Sequence, residues 1–422
     1  MLGYIELRTA KIWCEIKPQT KLDLMYWEVG KPKQINHAFA TNTRFMNFET
    51  VLFDLVALEP GTKYEYQILV NNKTKTQINK FETQELWKWR IPAPDFSFLT
   101  GSCLYQNEPK YDRPGKAYGS DSIIIQSMSK EDASFMLWLG DSWYTREVDY
   151  GSEWGLWNRA SHDRSSEFMQ GFLKSMAHFA IWDDHDYGPN NEGLSYIFKN
   201  ESRKVFQSYF ANPTYGMDGQ GVYTKISYND VDLFLMDNRT WRSSDDMPEI
   251  LNGKLNPEKK MFGEKQIEWL KNALLNSTAA FKLIVTGSQV LNELSPNDCM
   301  THYPIEKKEI LDFLRDAKIN GVLFITGDRH LSEINKLERD SLYTLYDITV
   351  SSLTSGSSKL RKEEINNLNR VPNSLLEEHN YAKFNFIGNT KERRLRVDFL
   401  DKNGLIKSTW ESSLAKLQNN KK

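Results

Sequence analysis

Cysteine is scarce in this chain of 422 residues: three thiols, an odd number at wide spacing, exclude a disulfide framework. Long apolar runs are missing too. Nothing approaches the roughly 18 residues that a membrane-spanning helix needs, and the first residues alternate like a strand instead of forming the apolar block of a signal peptide. As it stands the chain is expected in the cytoplasm, or outside it if a leader has been trimmed. There is no excess of charge of either sign: a net charge of −2 leaves no electrostatic footprint for nucleic acid or an anionic membrane. Internal repeats and low-complexity tracts are absent. What is present is a hydrophobic fraction of 40%, enough for cores, in a chain long enough for about two or three domains.

The most informative segment is Val322-Leu323-Phe324-Ile325-Thr326-Gly327-Asp328-Arg329-His330, an apolar run of strand length that stops at polar residues. The same grammar recurs before Gly101-Ser102-Cys103, Gly140-Asp141, Asp183-Asp184-His185-Asp186, Asp237-Asn238-Arg239 and Gly287-Ser288-Gln289. Short apolar runs bounded by turn residues read as strands buried on both faces, and open α/β sheets present ligands just beyond the carboxyl ends of such strands. Six strands are therefore expected to aim cysteine, carboxylates, histidines and arginines at one edge.

Before residue 90 the pattern is different. Short alternating runs such as Lys11–Ile16, Leu22–Trp27, Val51–Leu55 and Lys63–Val70 predict a separate β-sandwich over 1–90, and Leu58-Glu59-Pro60-Gly61-Thr62-Lys63-Tyr64 resembles a fibronectin type III turn and tyrosine corner. Ile91-Pro92-Ala93-Pro94-Asp95 reads as a stiff linker. From 91 to 422 strands alternate with helical patterns at 120–130, 166–178, 198–210, 263–276 and 305–317, an α/β organisation. Strand grammar returns at 341–350, 384–387 and 393–399. The polar stretch 354–380 reads as a surface loop with one helix.

Taken singly, each strand tip has a plain reading. Gly140-Asp141 is equally a helix N-cap, Cys103 an inert buried thiol, Tyr144 a core or rim aromatic. Three carboxylates around His185 directly after an apolar strand are harder to dismiss, since like charges that close are costly unless a cation or solvent relieves them. The coincidence of all six tips suits two-metal phosphoester hydrolysis, in which one carboxylate bridges two cations with unlike ligand sets. Thiolate, phenolate and imidazole favour a transition metal, whereas carboxylates favour a hard cation.

These motifs, with Gly140-Asp141-Ser142-Trp143-Tyr144 and Gly327-Asp328-Arg329-His330 among them, resemble the alkaline phosphatase D (PhoD-like) phosphodiesterases within the calcineurin-like metallophosphoesterases. The resemblance implies a four-layer αββα sandwich after the fibronectin-like module, and hydrolysis of small phosphate esters with an alkaline optimum. It implies that Cys103, Tyr144 and His330 hold ferric iron, that Asp141 bridges, and that Asp184 and Asp328 hold calcium with Asn190 or Asn191 as helpers. His185 is then the acid or transition-state stabiliser, with Arg239, Asn238 and Arg329 at the substrate. Asp186-Tyr187 replaces the usual Glu-Val, and Trp143, Trp154 and Trp157 either cover the site or pack the insertion after Asp141. Two other readings remain: a binding module with a relic site, and a hydrolase of another ester class. Mono- versus diester preference and oligomeric state are left open.

Overall fold

A strand whose residues all face protein needs neighbours on both edges and cover on both faces, and that requirement organises this fold. In the computed structural model, which describes residues 1–419, the six expected strands form and lie in two sheets. Phe96–Gly101, Phe135–Leu139 and Ala177–Ile181 run parallel and adjacent in a ten-stranded sheet. Val231–Leu235, Phe281–Thr286 and Val322–Thr326 do the same in a six-stranded one. Every residue of Phe135–Leu139, Ala177–Ile181, Val231–Leu235, Phe281–Thr286 and Val322–Thr326 is buried.

The pleat sorts the larger sheet's side chains between two cores. Phe98, Phe135, Leu137 and Phe179 share a core with Leu233, Phe234, Leu283 and Ile325 of the smaller sheet. Phe281 meets Phe386 edge to face across that contact, with ring centroids 5.0 Å apart. Leu99, Met136, Trp138 and Ala180 point the other way, into a core with Ile125, Leu156, Phe172 and Phe206.

The helical expectations correspond to Ile123–Met128, Glu167–Ser175, Lys199–Tyr209, Glu264–Asn276 and Pro304–Asp316. A further helix, Glu153–Ser165, went unread because its buried face mixes Leu156, Trp157 and Ala160 with charged groups, Arg159 pairing there with Asp149, Asp163 and Glu108, which breaks up the apolar stripe. The later strands are Leu345–Thr349, Asn380–Ile387 and Arg394–Asp401, and within 354–380 only a 3₁₀ turn, Lys362–Glu364, replaces the expected helix.

The expectation of a separate sandwich over 1–90 is corrected. Leu2–Ile5 pairs parallel with Ala177–Ile181 and antiparallel with Thr9–Ile16, so one sheet runs from the first strand into the strands that carry the site. The physical reason is the edge of Ala177–Ile181, buried on both faces and in need of a second hydrogen-bonding partner. Phe48–Val56 and Phe39–Phe45 continue the larger sheet beyond Thr9–Ile16, and the other strands of the segment, with Leu22–Glu28 and Lys63–Val70 at their centre, form their own five-stranded sheet. The Tyr64 hydroxyl does accept the Glu59 N–H at 2.8 Å, five residues back as a tyrosine corner requires.

His178, on Ala177–Ile181, is completely buried; its Nδ1 accepts from Trp138 Nε1 at 3.1 Å and its Nε2–H donates to the Phe172 carbonyl at 3.1 Å. Burial pushes its pKa from 6.5 down to about 3. The folded state therefore refuses a proton that the unfolded chain accepts, and stability falls as pH drops from about 6.5 towards 3, by up to about 1.4 kcal/mol per unit. Melting temperatures recorded from pH 7 to 4.5 should decline less steeply in His178→Gln than in the parent; parallel declines would take His178 out of the acid response.

Candidate metal centre and active site

The six strand tips meet. Cys103 follows Phe96–Gly101, Asp141 follows Phe135–Leu139, Asp183 to His185 follow Ala177–Ile181, and Asp328 and His330 follow Val322–Thr326. Three overlapping groups of donors result, each with its ligand atoms within 4.8 Å of one another: Cys103, Asp141 and His330; Asp141, Asp184 and His185; Asp183, Asp184 and Asp328. Asp141 belongs to the first two. Its Oδ2 lies 3.6 Å from Cys103 Sγ while its Oδ1 accepts the His185 N–H at 3.2 Å, so one carboxylate faces both a sulfur-imidazole set and a carboxylate set.

The backbone is bent to make this possible. Cys103, Asp141, Asp328 and His330 all have left-handed φ values of 63°, 52°, 64° and 57°, which cost of order 1–3 kcal/mol each and persist only where surroundings impose them. Asp186 imposes one of these turns. Its carboxylate accepts the N–H groups of Asp141, Ser142 and Asp183 and the Ser142 hydroxyl, at 2.5, 2.8, 2.9 and 2.6 Å respectively. Gly140, at φ 93°, is needed because a Cβ there would strike Asp183.

His330 is held in one tautomer. Its Nδ1 lies 2.7 Å from the Gly356 carbonyl, which only accepts, so Nδ1 carries the proton and Nε2 presents a lone pair 3.4 Å from the Tyr144 hydroxyl. Tyr118 reinforces this from 3.2 Å. Tyr144 itself is buried and stacks on His185, with ring centroids 4.1 Å apart.

Electrostatically the site is unbalanced as it stands. Burial, then Asp184, Cys103 and neighbouring carboxylates, push Asp141 well above the carboxylate range, and burial with Asp298, Asp183 and Asp184 does the same to Asp328. Burial pushes the Cys103 thiol up to about 12, and burial with Asp141 and Cys103 raises Tyr144 well above the usual phenol range. For Asp184 burial acts upward as well, but His185, Arg239 and the Asn191 N–H outweigh it and hold the carboxyl low. Burial lowers the pKa of His185. Asp183 Oδ2, Asp184 Oδ1, His185 Nδ1 and Asn238 Oδ1 are buried without a hydrogen-bond partner among the described residues. Unsatisfied oxygen acceptors on Asp183, Asp184 and Asn238, amid like charges, fit a cation.

The expected substrate residues are placed differently. Arg239 is fully buried; its guanidinium bonds Asp183 Oδ1 at 2.6 Å and Asp298 Oδ2 at 2.7 Å, so it orients Asp183 and has no free edge for phosphate. Asn238 donates to the same Asp183 oxygen at 2.9 Å and keeps its own Oδ1 for the site. Arg329 borders the cavity but directs its guanidinium to Glu364 at 2.8 Å, Ser295 at 2.9 Å and Gln289, tying down the loop that carries Gly356. Trp143 and Trp157 do not cover the site. They pack against Phe210 and Phe45 respectively, and Trp154 is exposed beside Asn47. Asn190 and Asn191 do border the cavity, which has a volume of about 560 Å³.

Asp183, Asp186, Asp298 and Tyr118 were not singled out from the sequence. Asp183 and Asp186 flank His185 in plain view, but their duties depend on Arg239 and on the turn at Asp141, over 40 positions away. Asp298, in Ser295-Pro296-Asn297-Asp298, resembles any turn aspartate.

If Arg239 is a positioning residue, Arg239→Met should leave Asp183 as an uncompensated buried charge, with Asp298 still held by Arg242, and lower stability by about 3–5 kcal/mol in denaturant unfolding. A variant of parental stability with only a raised KM would restore Arg239 to the substrate.

Comparison with known proteins agrees with this geometry. Residues 102–399 match the family profile described as PhoD-like phosphatase. Alkaline phosphatase D of Bacillus subtilis (strain 168) is 23% identical over 388 residues, covering 79% of this chain; the chain spans 63% of the length of that relative. A solved structure described as the structure of PhoD aligns with a TM-score of 0.73 at 16% identity, over 98% of this chain and 88% of the other, which establishes a shared fold. The profile spans most of the chain and contains every strand tip that meets at the centre, from Ser102-Cys103 to Asp328-Arg329-His330: the chain belongs to the PhoD-like phosphatase family.

Proposed function

We propose that the chain hydrolyses phosphate esters at a centre of two or more cations. The observation that carries this reading is the set of orphaned oxygen acceptors on Asp183, Asp184 and Asn238, beside a carboxylate, Asp141, shared between two unlike donor groups. Cys103, Tyr144, His330 and Asp141 would hold one ion, and their sulfur, phenol and imidazole donors suit ferric iron. Asp141, Asp184 and Asp328, assisted by Asp183 and Asn238, would hold the harder partner, for which calcium fits. Cations bound there would neutralise phosphoryl oxygens and acidify a bound water.

The chain's own groups do the rest. His185, beside Asp141 and stacked on Tyr144, is placed to give a proton to the departing oxygen or to steady charge on phosphorus oxygens. Arg361 borders the cavity, and its guanidinium has no ion-pair partner among the described residues, so it takes the phosphate-binding part first assigned to Arg239. In this reading the two large sheets and their flanking helices form the four-layer sandwich of the metallophosphoesterases, with Leu2–Ile5 and Thr9–Ile16 built into the larger sheet.

Elemental analysis alongside activity on a phosphomonoester and a phosphodiester tests the proposal directly: metal and turnover should appear together and vanish together on chelation. Asp141→Asn should lose metal and activity. His185→Ala should keep its metal and lose about 10²–10⁴-fold in rate; loss of metal first would move His185 into the ligand set.

A thiolate and a phenolate on ferric iron absorb visible light, whereas zinc, being d¹⁰, does not. The purified protein should therefore be coloured, and Tyr144→Phe should bleach or shift the band while much of the iron stays. A colourless, iron-free, fully active protein would reassign the metal at Cys103 and leave the hydrolysis standing.

A further inference from the structure

Next to the acidic cavity is a second hollow of about 600 Å³, walled by Tyr105, Tyr111, Tyr118, Tyr144 and Tyr150. The two share Tyr118, His185 and Asn190, so they meet at the proposed proton donor. Their chemistry contrasts. The first is walled by carboxylates, the second by phenol rings set against one another: Tyr105 lies 4.9 Å from Tyr118 at 81° and 5.1 Å from Tyr144 at 64°. Tyrosine walls of this size accept a flat, weakly polar group and position it by ring contacts.

The charge there narrows the choice further. Aromatic walls also bind quaternary ammonium groups, but the place of such a cation is taken, since the Arg146 guanidinium sits 4.4 Å from the Tyr105 ring centroid. Arg113 and Lys116 add positive charge at the rim, against Asp112 and Glu147, which pair with Arg146 and Arg113 at 3.0 Å each. Lys116 has no ion-pair partner among the described residues. A cationic group is therefore disfavoured and a neutral or anionic one accepted.

We propose that this hollow is the subsite for the alcohol half of the ester, and that it takes a planar ring without positive charge, such as an aryl group or a nucleobase. This rests on the reading of the acidic cavity as the phosphoryl site. A ring seated among the tyrosines places its ester oxygen towards His185, which both hollows share, so the residue that selects the leaving group adjoins the residue that protonates it.

Phosphonates test the subsite without turnover, because their carbon cannot leave. Titration calorimetry of the metal-loaded protein with phenyl-, cyclohexyl- and methylphosphonate should rank them phenyl, then cyclohexyl, then methyl. Tyr111→Ala, and Tyr111→Leu as the variant that keeps bulk, should each weaken phenylphosphonate by about 3- to 10-fold while methylphosphonate and inorganic phosphate bind as before. A para-carboxylate on the ring should tighten binding and a para-trimethylammonium weaken it, a difference that Lys116→Ala should reduce. Equal affinity for phenyl and cyclohexyl probes, or a phenyl preference that survives both Tyr111 variants, would overturn the subsite while phosphate binding kept the phosphoryl reading alive. Failure of inorganic phosphate and all three phosphonates to bind would overturn both.

Discussion

Repulsion among buried carboxylates is the constraint on which the rest of this structure depends. Asp141, Asp183, Asp184, Asp298 and Asp328 are gathered where two sheets meet, and the arginines paired with them among the described residues, Arg239 and Arg242, are bound mainly to Asp298 and Asp183 on one side. On the side that faces Cys103 and His330, Asp141 has no Lys or Arg partner among the described residues. Such an arrangement is unstable unless other contacts hold the groups in place. The fold supplies them through backbone: N–H groups clamp Asp186, which fixes the Asp141 turn, and the Asn191 N–H bonds Asp184 at 2.8 Å.

The two sheets divide that labour. The larger one contributes Cys103, Asp141 and the Asp183–His185 turn from three neighbouring parallel strands, while the smaller one contributes Asn238, Arg239, Asp328 and His330. Because each donor follows a strand packed into a core, none can shift without disturbing it. Long-range packing thus serves a local chemical purpose, and the strained φ angles at Cys103, Asp141, Asp328 and His330 record where the two demands conflict.

Much of this was legible in the residues. Apolar runs ending in Gly-Asp or Asp-Asp-His mark strands and tips whatever the tertiary context, and so Cys103, Asp141, Tyr144, Asp184, His185, Asp328 and His330 all come together as read. Partnerships were not legible. An arginine after a strand looks the same whether it meets a substrate or a buried aspartate, and only the fold brings Asp183 and Asp298 to Arg239. The tryptophans after Asp141 were equally open between covering and packing, and the neighbours that decide it, Phe45 and Phe48, lie about a hundred positions upstream. Likewise the alternation of Leu2–Ile5 marks a strand but names no partner.

That last pairing bears on how the chain reaches its folded state. Leu2–Ile5 lies between Thr9–Ile16, which follows it at once, and Ala177–Ile181, from which it is separated by half of the larger sheet's strands in sequence. Closing so long a loop is entropically slow compared with forming the local hairpin. The early antiparallel strands can therefore assemble with an outer edge that stays open until the strand at 177 arrives, and an open edge is a template for a second chain. The order of assembly makes this junction, far in sequence from the catalytic tips, the place where crowding and chaperone supply would govern the yield of soluble protein.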